Sequence, residues 1–402
     1  MKRSSAGLRP PVLFVAPVAW DGLRQRHQAL AEELARAGYR VAYLNPLIGG
    51  GFGLTTTFAI LDESPGQGSQ PLDHAPGIRV LDLRVPFRAA AWPGLQRIAA
   101  RLAAGLLGRA GHLTPRHLVW IADPAMAGLV CRPHRGADRH VIDRASPLPP
   151  RMAARTAGFA PGTGALVYDR CDRHGTFPGQ RPGPWQAYER LLLARAGLVL
   201  ATTEDLLPAA AATPARRLLV PNAAAPDLLR EPIPARPPPP PLRVVSAGAH
   251  YEWVDIGWLD RLAGLPGIEL HLAGPGRGEA FARLVRRPDV TGHGVLDRAG
   301  LRSLLDRCHV GVVPFRDLPL TRAVDPVKAY EYAARGLQVW GTDLPSLRRH
   351  PFVDRCLDLD ALGPDLVANT IRGWEGRRPP PPPPTWTDRM AGLLPHLEAL
   401  SA

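Results

Sequence analysis

Short, continuous runs of apolar residues recur along the chain, separated by longer stretches in which apolar positions follow a helical period. The first repeat has a run at Val12–Ala16, a helical pattern from about Arg24 to Ala37, a stop at Gly38 and a second run at Arg40–Leu44. The other runs lie at Leu118–Ala122, Leu166–Tyr168, Leu198–Thr202, Leu242–Ser246, Ile268–Ala273, Val310–Val313 and Gln338–Gly341. Continuous apolar runs are typical of strands buried on both faces of a parallel sheet. The pattern predicts an α/β chain with two doubly wound, Rossmann-like domains.

Proline-rich segments divide this pattern. Glu231–Pro241 cannot form a helix or a central strand, because proline lacks the backbone donor and fixes φ, so it predicts a stiff linker. Pro379–Pro384 precedes a last helical stretch, Thr387–Leu400, which is too short to fold alone and should dock on one of the domains. The predicted parts are an N-terminal Rossmann-like domain at 1–230, a linker at 231–241, a C-terminal Rossmann-like domain at 242–378, and a proline-rich segment with a terminal helix at 379–402.

Composition excludes several protein classes. The 402 residues are 45% hydrophobic, enough for two to three domains with cores of their own. No apolar run is long enough to span a bilayer, and the start of the chain lacks the pattern of a secretory signal. The cysteines lie far apart, at Cys131, Cys171, Cys308 and Cys356. We therefore expect no membrane span, no zinc site of the CxxC type and no disulfide scaffold.

The positive charge is concentrated in the first half. Residues 1–225 carry 27 basic and 15 acidic groups, whereas residues 226–402 carry 22 and 21, within a formal net charge of +13. All basic residues except Lys2 and Lys328 are arginines. This excess of positive charge is either a by-product of arginine-rich composition or a surface for an anionic partner. No helix-turn-helix, zinc or aromatic-platform signature accompanies it, so we expect no nucleic-acid partner.

One amphipathic stretch allows two interpretations. Between Leu95 and Arg109, an apolar stripe formed by Leu95, Ile98, Leu102 and Leu106 is bordered by arginines. Such a helix suits either an anionic membrane surface or packing against the core of its own domain.

The densest cluster of chemically capable residues lies in Pro314–Gly336, which leaves a predicted strand, crosses a loop and enters a helix. Ligands in open α/β sheets bind at such carboxyl ends. Asp325 and Pro326 predict an N-cap and first helical position, which would present free backbone N–H groups to an anion. Lys328 and Glu331 share a helix face, so Lys328 could reach a diphosphate and Glu331 could accept from ribose hydroxyls. The alternative is an ordinary capped helix with a surface ion pair.

Asp325–Gly336 resembles the donor-site segment of GT-B glycosyltransferases, specifically the bacterial polysaccharide and cell-envelope group (family 1/4-like). Weaker similarities follow in the family's order: Trp20-Asp21 with Arg26-His27-Gln28, Val167–Asp172, Leu198–Thr203 before Leu206, Val220–Asn222, Gly248–Asp255 and Trp386–Arg389. The resemblance implies two Rossmann-like domains facing a cleft, an acceptor domain at 1–230 and a donor domain at 242–378, with the C-terminal helix crossing back to dock on the first domain. It also implies a hexosyltransferase that needs no cofactor, because the nucleotide-diphosphate sugar is its donor substrate.

The expected acceptor is a lipid-linked or saccharide intermediate of cell-envelope or exopolysaccharide synthesis. The expected location is the cytoplasm, with peripheral attachment to the anionic inner face of the plasma membrane. Two other functions stay open. A GT-B nucleotide-sugar epimerase would turn over the donor without an acceptor. A non-catalytic glycosyltransferase-like subunit would fit Ala323 and Gln338, two positions at which the chain departs from the family motifs.

Some positions depart from the family pattern. Retaining members with two glutamates eight residues apart would need an acidic residue at Ala323, so only Glu331 of that pair is present. The usual Asn-Gly is Asn222-Ala223, and the Gly-x-Pro-Val-Val motif is Gly336–Trp340. The stereochemical course of transfer is therefore open.

Transfer with inversion needs a base that takes the proton of the acceptor hydroxyl. The candidates are Asp172, which we favour, together with Asp169 and His27. A turn or cap role for Asp169 and a structural helix position for His27 are the alternatives. Asp21, Arg24 and Arg26 are candidate acceptor or phosphate ligands, and the two arginines could equally be solvated.

The remaining donor-site candidates lie after the first strand of the second domain and in the helix. Gly248 lets the backbone approach a diphosphate closely, and His250 and Glu252 follow it. Asp255 either orients the sugar or caps the next helix. The resemblance adds Tyr330 and Tyr332, so the predicted donor-binding set is Gly248, His250, Glu252, Asp325, Lys328, Tyr330, Glu331 and Tyr332. We expect no metal site, and we expect the glycine-rich stretch at 49–53 to be a mobile loop.

Overall fold

The structure, a computed structural model, describes residues 9–49, 53–60, 77–85, 93–130, 165–180, 182–229, 240–374 and 381–401. The chain forms two compact units. The first comprises the described parts of Met1–Gly175, Gln180–Val220 and Met390–Ala402, and the second comprises Thr176–Gly179 and Pro221–Arg389. Most of the predicted linker and of the 49–53 loop lies outside the described residues.

The first unit is built on a predominantly parallel sheet. Among the described residues, the strand order is β3-β5-β2-β1-β6-β7-β8-β9, and β4 pairs antiparallel with β5. The strands are β1 (Val12–Val15), β2 (Val41–Leu44), β3 (Ile48–Gly49), β4 (Gly53–Ile60), β5 (Gly77–Val85), β6 (Leu118–Ile121), β7 (Leu166–Arg170), β8 (Leu198–Ala201) and β9 (Arg216–Leu219). Strands β1, β2, β6 and β8 are buried throughout, as their continuous apolar runs predict.

Three α-helices among the described residues cover this sheet: α1 (Arg26–Arg36), α2 (Pro93–Arg109) and α3 (Pro182–Leu193). The Gln28 side chain closes the start of α1, because its Oε1 accepts from the Gln25 N–H at 3.0 Å and its Nε2 donates to the Ala19 carbonyl at 3.1 Å. The helix ends at Arg36, and Gly38 follows with a φ of 90°, a left-handed conformation that favours glycine. The Gln28 contacts hold the start of α1 against the loop that follows β1.

Helix α2 packs into the core mainly through alanines. Its deeply buried face consists of Ala99, Ala100, Ala103, Ala104 and Leu107. Ile98 of the predicted stripe is also buried, whereas Leu102 and Leu106 keep part of their surface exposed. The core-packing interpretation therefore holds for one face, and the leucine stripe is only partly covered.

The second unit has a fully parallel sheet in the order β12-β11-β10-β13-β14-β15. Its strands are β10 (Leu242–Ala247), β11 (Ile268–Ala273), β12 (Val290–Gly294), β13 (Val310–Val313), β14 (Gln338–Thr342) and β15 (Arg355–Leu357). Its helices are α4 (Ile256–Ala263), α5 (Glu279–Val285), α6 (Arg298–Arg307), α7 (Val327–Ala334), α8 (Pro345–Arg348) and α9 (Leu366–Arg372). Hydrophobic clusters line both faces of the sheet, as in a doubly wound domain.

The last helix, α10 (Trp386–Ser401), is shared by the two units in sequence, because residues from Met390 onward group with the first unit. Within that unit, Leu400 lies against Gly197, where an added Cβ would come within 2.3 Å of the leucine side chain. Arg9 also donates to Glu398 at 2.9 Å. The terminal helix therefore packs on the first unit, as the resemblance implies.

Candidate functional site

Two glycine loops of the second unit meet at the carboxyl edge of its sheet. Gly248 follows β10 with a φ of 134°, and Gly274 follows β11 with a φ of 119°. A Cβ on Gly274 would lie 2.0 Å from the Gly248 carbonyl oxygen, so this approach requires glycine. The His250 N–H donates to the Pro275 carbonyl at 2.8 Å and joins the loops further along. The predicted loop at Gly248 therefore packs closely against a second glycine loop at Gly274.

Lys328 and Glu331 lie together beside these loops. The Lys328 Nζ is 2.5 Å from the Glu331 Oε2, and the lysine side chain keeps 26% of its surface exposed. A Cβ on Gly248 would lie 3.9 Å from the Lys328 Cε. Because α7 begins at Val327, its first backbone N–H groups and the positive end of its dipole lie at the same place. An ammonium, a helix start and a glycine loop together form an arrangement that suits a phosphate.

The predicted cap of this helix is wrong. Pro326 occupies the N-cap position, and Asp325 makes no capping hydrogen bond to α7. Its buried carboxylate instead accepts from the Asn222 N–H at 2.5 Å, while the Tyr330 hydroxyl and the His350 Nε2 lie 3.1 Å from its Oδ1. These buried donors satisfy the carboxylate better than the exposed start of a helix would. Asp325 and Tyr330 are engaged with each other, so their predicted direct contact with the donor is not supported by this geometry.

Tyr332 has a packing position. It is fully buried, and its ring fills the space over Gly311, where an added Cβ would come within 2.3 Å of the ring. Its hydroxyl oxygen accepts from the Ala247 N–H at 2.8 Å, and burial raises the pKa of this hydroxyl well above its usual range. Tyr332 therefore supports the end of β10 instead of offering its hydroxyl to a ligand.

The other residues of the β10 loop differ in exposure. His250 is buried, with its Nε2 at 3.0 Å from the Ser246 Oγ and its ring stacked on Phe281, and burial lowers its pKa to about 4. It is therefore neutral near pH 7. Glu252 is exposed and free to meet a ligand through its side chain in this conformation. Asp255 caps α4 by accepting from the Trp258 N–H at 2.9 Å, which settles its two alternatives in favour of the cap.

In the first unit, Asp169 and Arg26 form a buried ion pair. The Arg26 Nε and Nη2 each donate to the Asp169 carboxylate at 3.0 Å, and the Trp120 Nε1 lies 3.3 Å away. The Arg26 Nη1 donates to the Val220 carbonyl at 2.8 Å. Both side chains are almost inaccessible. The geometry therefore argues against Asp169 as the base and against Arg26 as a phosphate ligand, because each already satisfies the other.

Asp172 has a different environment at the end of the same strand. Its surroundings raise its pKa to about 7, mainly through burial and to a lesser extent through the charge of Asp169. Part of the residue stays accessible even though protein atoms crowd its carboxylate. A carboxylate with this pKa can accept a proton near neutral pH.

His27 lies beside this carboxylate segment at the start of α1. Its Nε2 is 3.4 Å from the Cys171 Sγ, and its buried Nδ1 has no hydrogen-bond partner among the described residues. Burial lowers the pKa of His27 to about 4, so the imidazole is neutral near pH 7. An orphaned polar atom in a buried position is unusual, and it keeps His27 a candidate for contact with a bound molecule.

The remaining predicted acceptor ligands are at the surface. The Arg24 Nη1 donates to the Glu32 Oε1 at 2.7 Å, and the Nη2 binds the second oxygen of the same carboxylate. The Arg24 side chain is 37% exposed, so it lies at the surface while it pairs with Glu32. Asp21 is exposed in the loop between β1 and α1.

Two residues at the same edge of the first sheet escaped the sequence analysis. Asp123 follows β6, and burial raises its pKa to about 6 although it accepts from the Ala125 N–H at 2.9 Å. His174 follows β7, stacks on Trp185 at 5.4 Å, and has a pKa lowered by burial to about 4. Each comes shortly after a predicted apolar run, which is the signal that could have identified them.

The described residues contain no group of three or more His, Cys, Asp or Glu side chains placed to hold a metal ion. Within the same ranges, no helix has the length and apolarity needed to cross a bilayer.

Comparisons with known proteins add a fold and a short sequence match. No protein-family model matches the chain. Over 67 residues the chain is 34% identical to TuaH of Bacillus subtilis (strain 168), assigned as a teichuronic acid biosynthesis glycosyltransferase. This match spans only 17% of either chain, so it covers a small part of the relative's length.

Solved structures match over nearly the whole chain. Sucrose-phosphate synthase from Thermosynechococcus elongatus has a TM-score of 0.59 at 16% identity, covering 98% of this chain and 96% of that one. The UDP-forming trehalose-phosphate synthase from Burkholderia xenovorans, in complex with glucose-6-phosphate, has a TM-score of 0.53 at 12% identity, covering 97% and 96%. An E. coli trehalose-6-phosphate structure with bound UDP-2-fluoro glucose has a TM-score of 0.52 at 11% identity, covering 97% and 95%. The chain therefore has the GT-B fold of nucleotide-sugar glycosyltransferases, which confirms the resemblance at the level of the fold.

Proposed function

We propose that this protein is a glycosyltransferase that moves a sugar from a nucleotide-diphosphate sugar to an acceptor. The observation that carries the proposal is the placement of Lys328 and Glu331 beside the Gly248 loop at the carboxyl edge of the second sheet. In open α/β sheets this edge is where ligands bind. The fold shared with synthases that use UDP-sugars supports the same interpretation.

The second unit would hold the donor by its diphosphate. The Lys328 ammonium and the first N–H groups of α7 would neutralise the charge that develops on the diphosphate as it leaves. Lys328 is paired with Glu331, so binding of a phosphate to the ammonium would release that carboxylate to accept hydrogen bonds from hydroxyls of the ribose or the sugar. Glu331 would therefore serve as the counter-ion of Lys328 until a phosphate takes its place.

Asp172 of the first unit would take the proton of the acceptor hydroxyl. Its pKa of about 7 leaves a substantial fraction ionised at neutral pH while retaining basicity. Asp169 forms an ion pair with Arg26, and its proximity helps to raise the pKa of Asp172. Neutral His27, with its unpartnered Nδ1, would orient the acceptor or the transferred sugar by a hydrogen bond.

We propose a lipid-linked or saccharide intermediate of cell-envelope synthesis as the acceptor. The short match to TuaH supports this class, as does the positive charge of the first half of the chain. Peripheral attachment to the anionic inner face of the plasma membrane belongs to the same proposal, because it would bring a lipid-linked acceptor to the basic surface.

The direct test is transfer of radiolabelled sugar from a panel of UDP-, GDP- and TDP-sugars to lipid extracts of envelope membranes. We expect labelled lipid with one donor class, and no transfer with Lys328→Ala. Conversion of a donor to its epimer without acceptor would favour the epimerase. No nucleotide binding and no turnover with any donor would favour a non-catalytic subunit.

A further inference from the structure

A buried polar cluster underlies the start of α7, and the proposed chemistry uses none of its members directly. The cluster consists of four buried residues, Asn222, Asp325, Tyr330 and His350. Buried polar groups are costly unless each is hydrogen-bonded, so a cluster in this position needs a reason.

Asn222 is bound to Asp325 at two points. Its backbone N–H donates to the Asp325 Oδ2 at 2.5 Å, and its side-chain Nδ2 donates to the Asp325 carbonyl oxygen at 2.5 Å. The first bond fixes the carboxylate and the second fixes the main chain. Because Asp325 lies two residues before Val327, where α7 begins, this clamp sets the position of the helix start.

The Asp325 carboxylate also binds a residue within the helix itself. Its Oδ1 accepts from the Tyr330 hydroxyl at 3.1 Å, and the His350 Nε2 lies at the same distance from this oxygen. Tyr330 lies within α7, between Lys328 and Glu331. The helix is therefore held both at its start and at its first turn by one carboxylate.

Asn222 is itself held from the other side by the start of α10. Its carbonyl oxygen accepts from the Arg389 Nη2 at 3.1 Å and from the Nε at 3.3 Å. The neighbouring Ala224 pairs with the segment before α10: its N–H donates to the Pro384 carbonyl at 3.0 Å, and its carbonyl accepts from the Trp386 N–H at 3.1 Å. Thus Asn222 lies between Arg389 and Asp325.

Thr385 and Asp388 hold the start of α10 in place. The Thr385 N–H donates to the Asp388 Oδ2 at 2.8 Å, and the Asp388 N–H donates to the Thr385 Oγ1 at 3.2 Å. This reciprocal pair is a capping box formed with aspartate. Arg389 therefore donates from a fixed helix start.

We propose that Asn222, held by Arg389, is a positioning residue for the donor site: it fixes the start of α7 and with it Lys328. This inference rests on the proposed function, since it assigns Asn222 to the nucleotide site named there. The glycine loop positions Lys328 from one side, and the Asn222–Asp325 clamp positions it from the other.

The first test compares Asn222→Ala and Arg389→Ala with the wild type for UDP affinity, or for affinity to whichever nucleotide diphosphate the wild type binds, by calorimetric titration. We expect each variant to weaken binding about tenfold, because Asn222→Ala removes the buried bond from Nδ2 to the Asp325 carbonyl and Arg389→Ala removes two part-buried bonds to the Asn222 carbonyl. Arg389→Lys keeps one donor and should recover part of the loss. Arg9→Ala removes the contact to Glu398 at the far end of the same helix and should leave affinity unchanged.

Kinetics separate positioning from a general loss of structure. Asn222→Ala and Arg389→Ala should raise the KM for the donor while the KM for the acceptor stays constant. Arg389 is partly exposed, so its variant tests the proposal even if Asn222→Ala does not fold. Wild-type affinity in a folded Arg389→Ala protein would overturn this inference alone. A wild type that binds no nucleotide diphosphate would overturn the proposed function together with it.

Discussion

Two aspartates three positions apart differ sharply in environment. Asp169 is inaccessible and neutralised by the Arg26 guanidinium, whereas Asp172 lies beyond that pair and has its pKa raised by burial to about 7. Neighbouring carboxylates in different environments are a frequent basis for dividing structural and catalytic roles. The sequence could identify both as candidates, but it could not show that Arg26, 143 positions earlier, occupies one of them.

The pKa of Asp172 predicts how activity responds to pH. If its ionised form is the base, kcat/KM should rise as pH increases through about 7, and Asp172→Asn should lower kcat by about 10²–10⁴-fold without weakening nucleotide binding. Transfer rates measured from pH 5 to 9 would check this. A rate independent of pH, or wild-type activity in the variant, would remove Asp172 from the mechanism.

The same pKa predicts an opposite effect on stability. The folded pKa lies above the reference value of 3.8, so the fold binds the proton more tightly than the unfolded chain. The stability due to the protonated carboxyl is therefore present below pH 4 and is lost as pH rises through about 7. Asp172→Asn should raise Tm relative to wild type at pH 8 and have little effect at pH 4. A lower Tm at pH 8 would contradict the burial argument.

The buried pair of the first unit should contribute strongly to folding. Arg26→Ala leaves the Asp169 charge buried and unpaired, which should cost about 3–5 kcal/mol of unfolding free energy. Arg24→Ala is the matched control: the Arg24 side chain is 37% exposed and Glu32 keeps a second partner in Arg36, so the loss should be less than about 1 kcal/mol. Urea denaturation of both variants would measure the difference, and equal costs would show that burial does not govern these pairs.

At the scale of elements, central strands were predictable and edge strands were not. Every apolar run in the sequence corresponds to a strand, because buried parallel strands need apolar residues on both faces. Strands β9 and β12 lie at the edges of their sheets and are largely exposed, so they have no such run. Strand β5 alternates buried and exposed positions and pairs with β4, so its sequence contains no continuous apolar run.

The elements of the proposed donor site were predicted in part. The shared face of Lys328 and Glu331 follows from helical periodicity and is confirmed. The cap at Asp325 was wrong because Asn222, from a distant part of the chain, donates to its carboxylate. Tertiary contacts of this kind leave no local signal in the sequence.

The contact between glycine loops predicts a sharp local effect. Gly274→Ala would place a Cβ 2.0 Å from the Gly248 carbonyl at a φ of 119°, so the loops must separate. We expect nucleotide binding to be lost or weakened at least tenfold, with a measurable drop in Tm. Gly392→Ala, in open space within α10, should instead be neutral or stabilising by about 0.5–1 kcal/mol. Calorimetry on both variants distinguishes a local clash from a general effect of losing glycine.

At the scale of the whole molecule, the two-domain α/β architecture was predictable because its pattern repeats, and the structural comparisons confirm it. Hydrophobic periodicity alone predicts two Rossmann-like domains, and the resemblance to the family added the prediction of the GT-B fold. The identity of the acceptor has no comparable signal, since it depends on surface chemistry spread over many residues.

The charge asymmetry predicts association with anionic membranes. Residues 1–225 carry the excess of arginine, and Leu102 and Leu106 of α2 keep exposed surface. The protein should float with vesicles containing phosphatidylglycerol and not with neutral vesicles, and binding should fall as salt rises. Leu102→Ser with Leu106→Ser should weaken flotation if α2 meets the membrane. Equal behaviour with neutral and anionic vesicles at moderate salt would refute the attachment.

The proposed function requires the second unit to hold a nucleotide diphosphate through Lys328. The most direct test of this binding is a thermal shift of the wild type, Lys328→Ala and the surface control Arg283→Ala against UDP, GDP, ADP, TDP and CDP. A ligand at 100 times its Kd stabilises a fold by about 2.7 kcal/mol, which is readily measured. We expect stabilisation by one nucleotide in the wild type and in Arg283→Ala, and its loss in Lys328→Ala. Equal stabilisation of all three proteins, or none by any nucleotide, would contradict it.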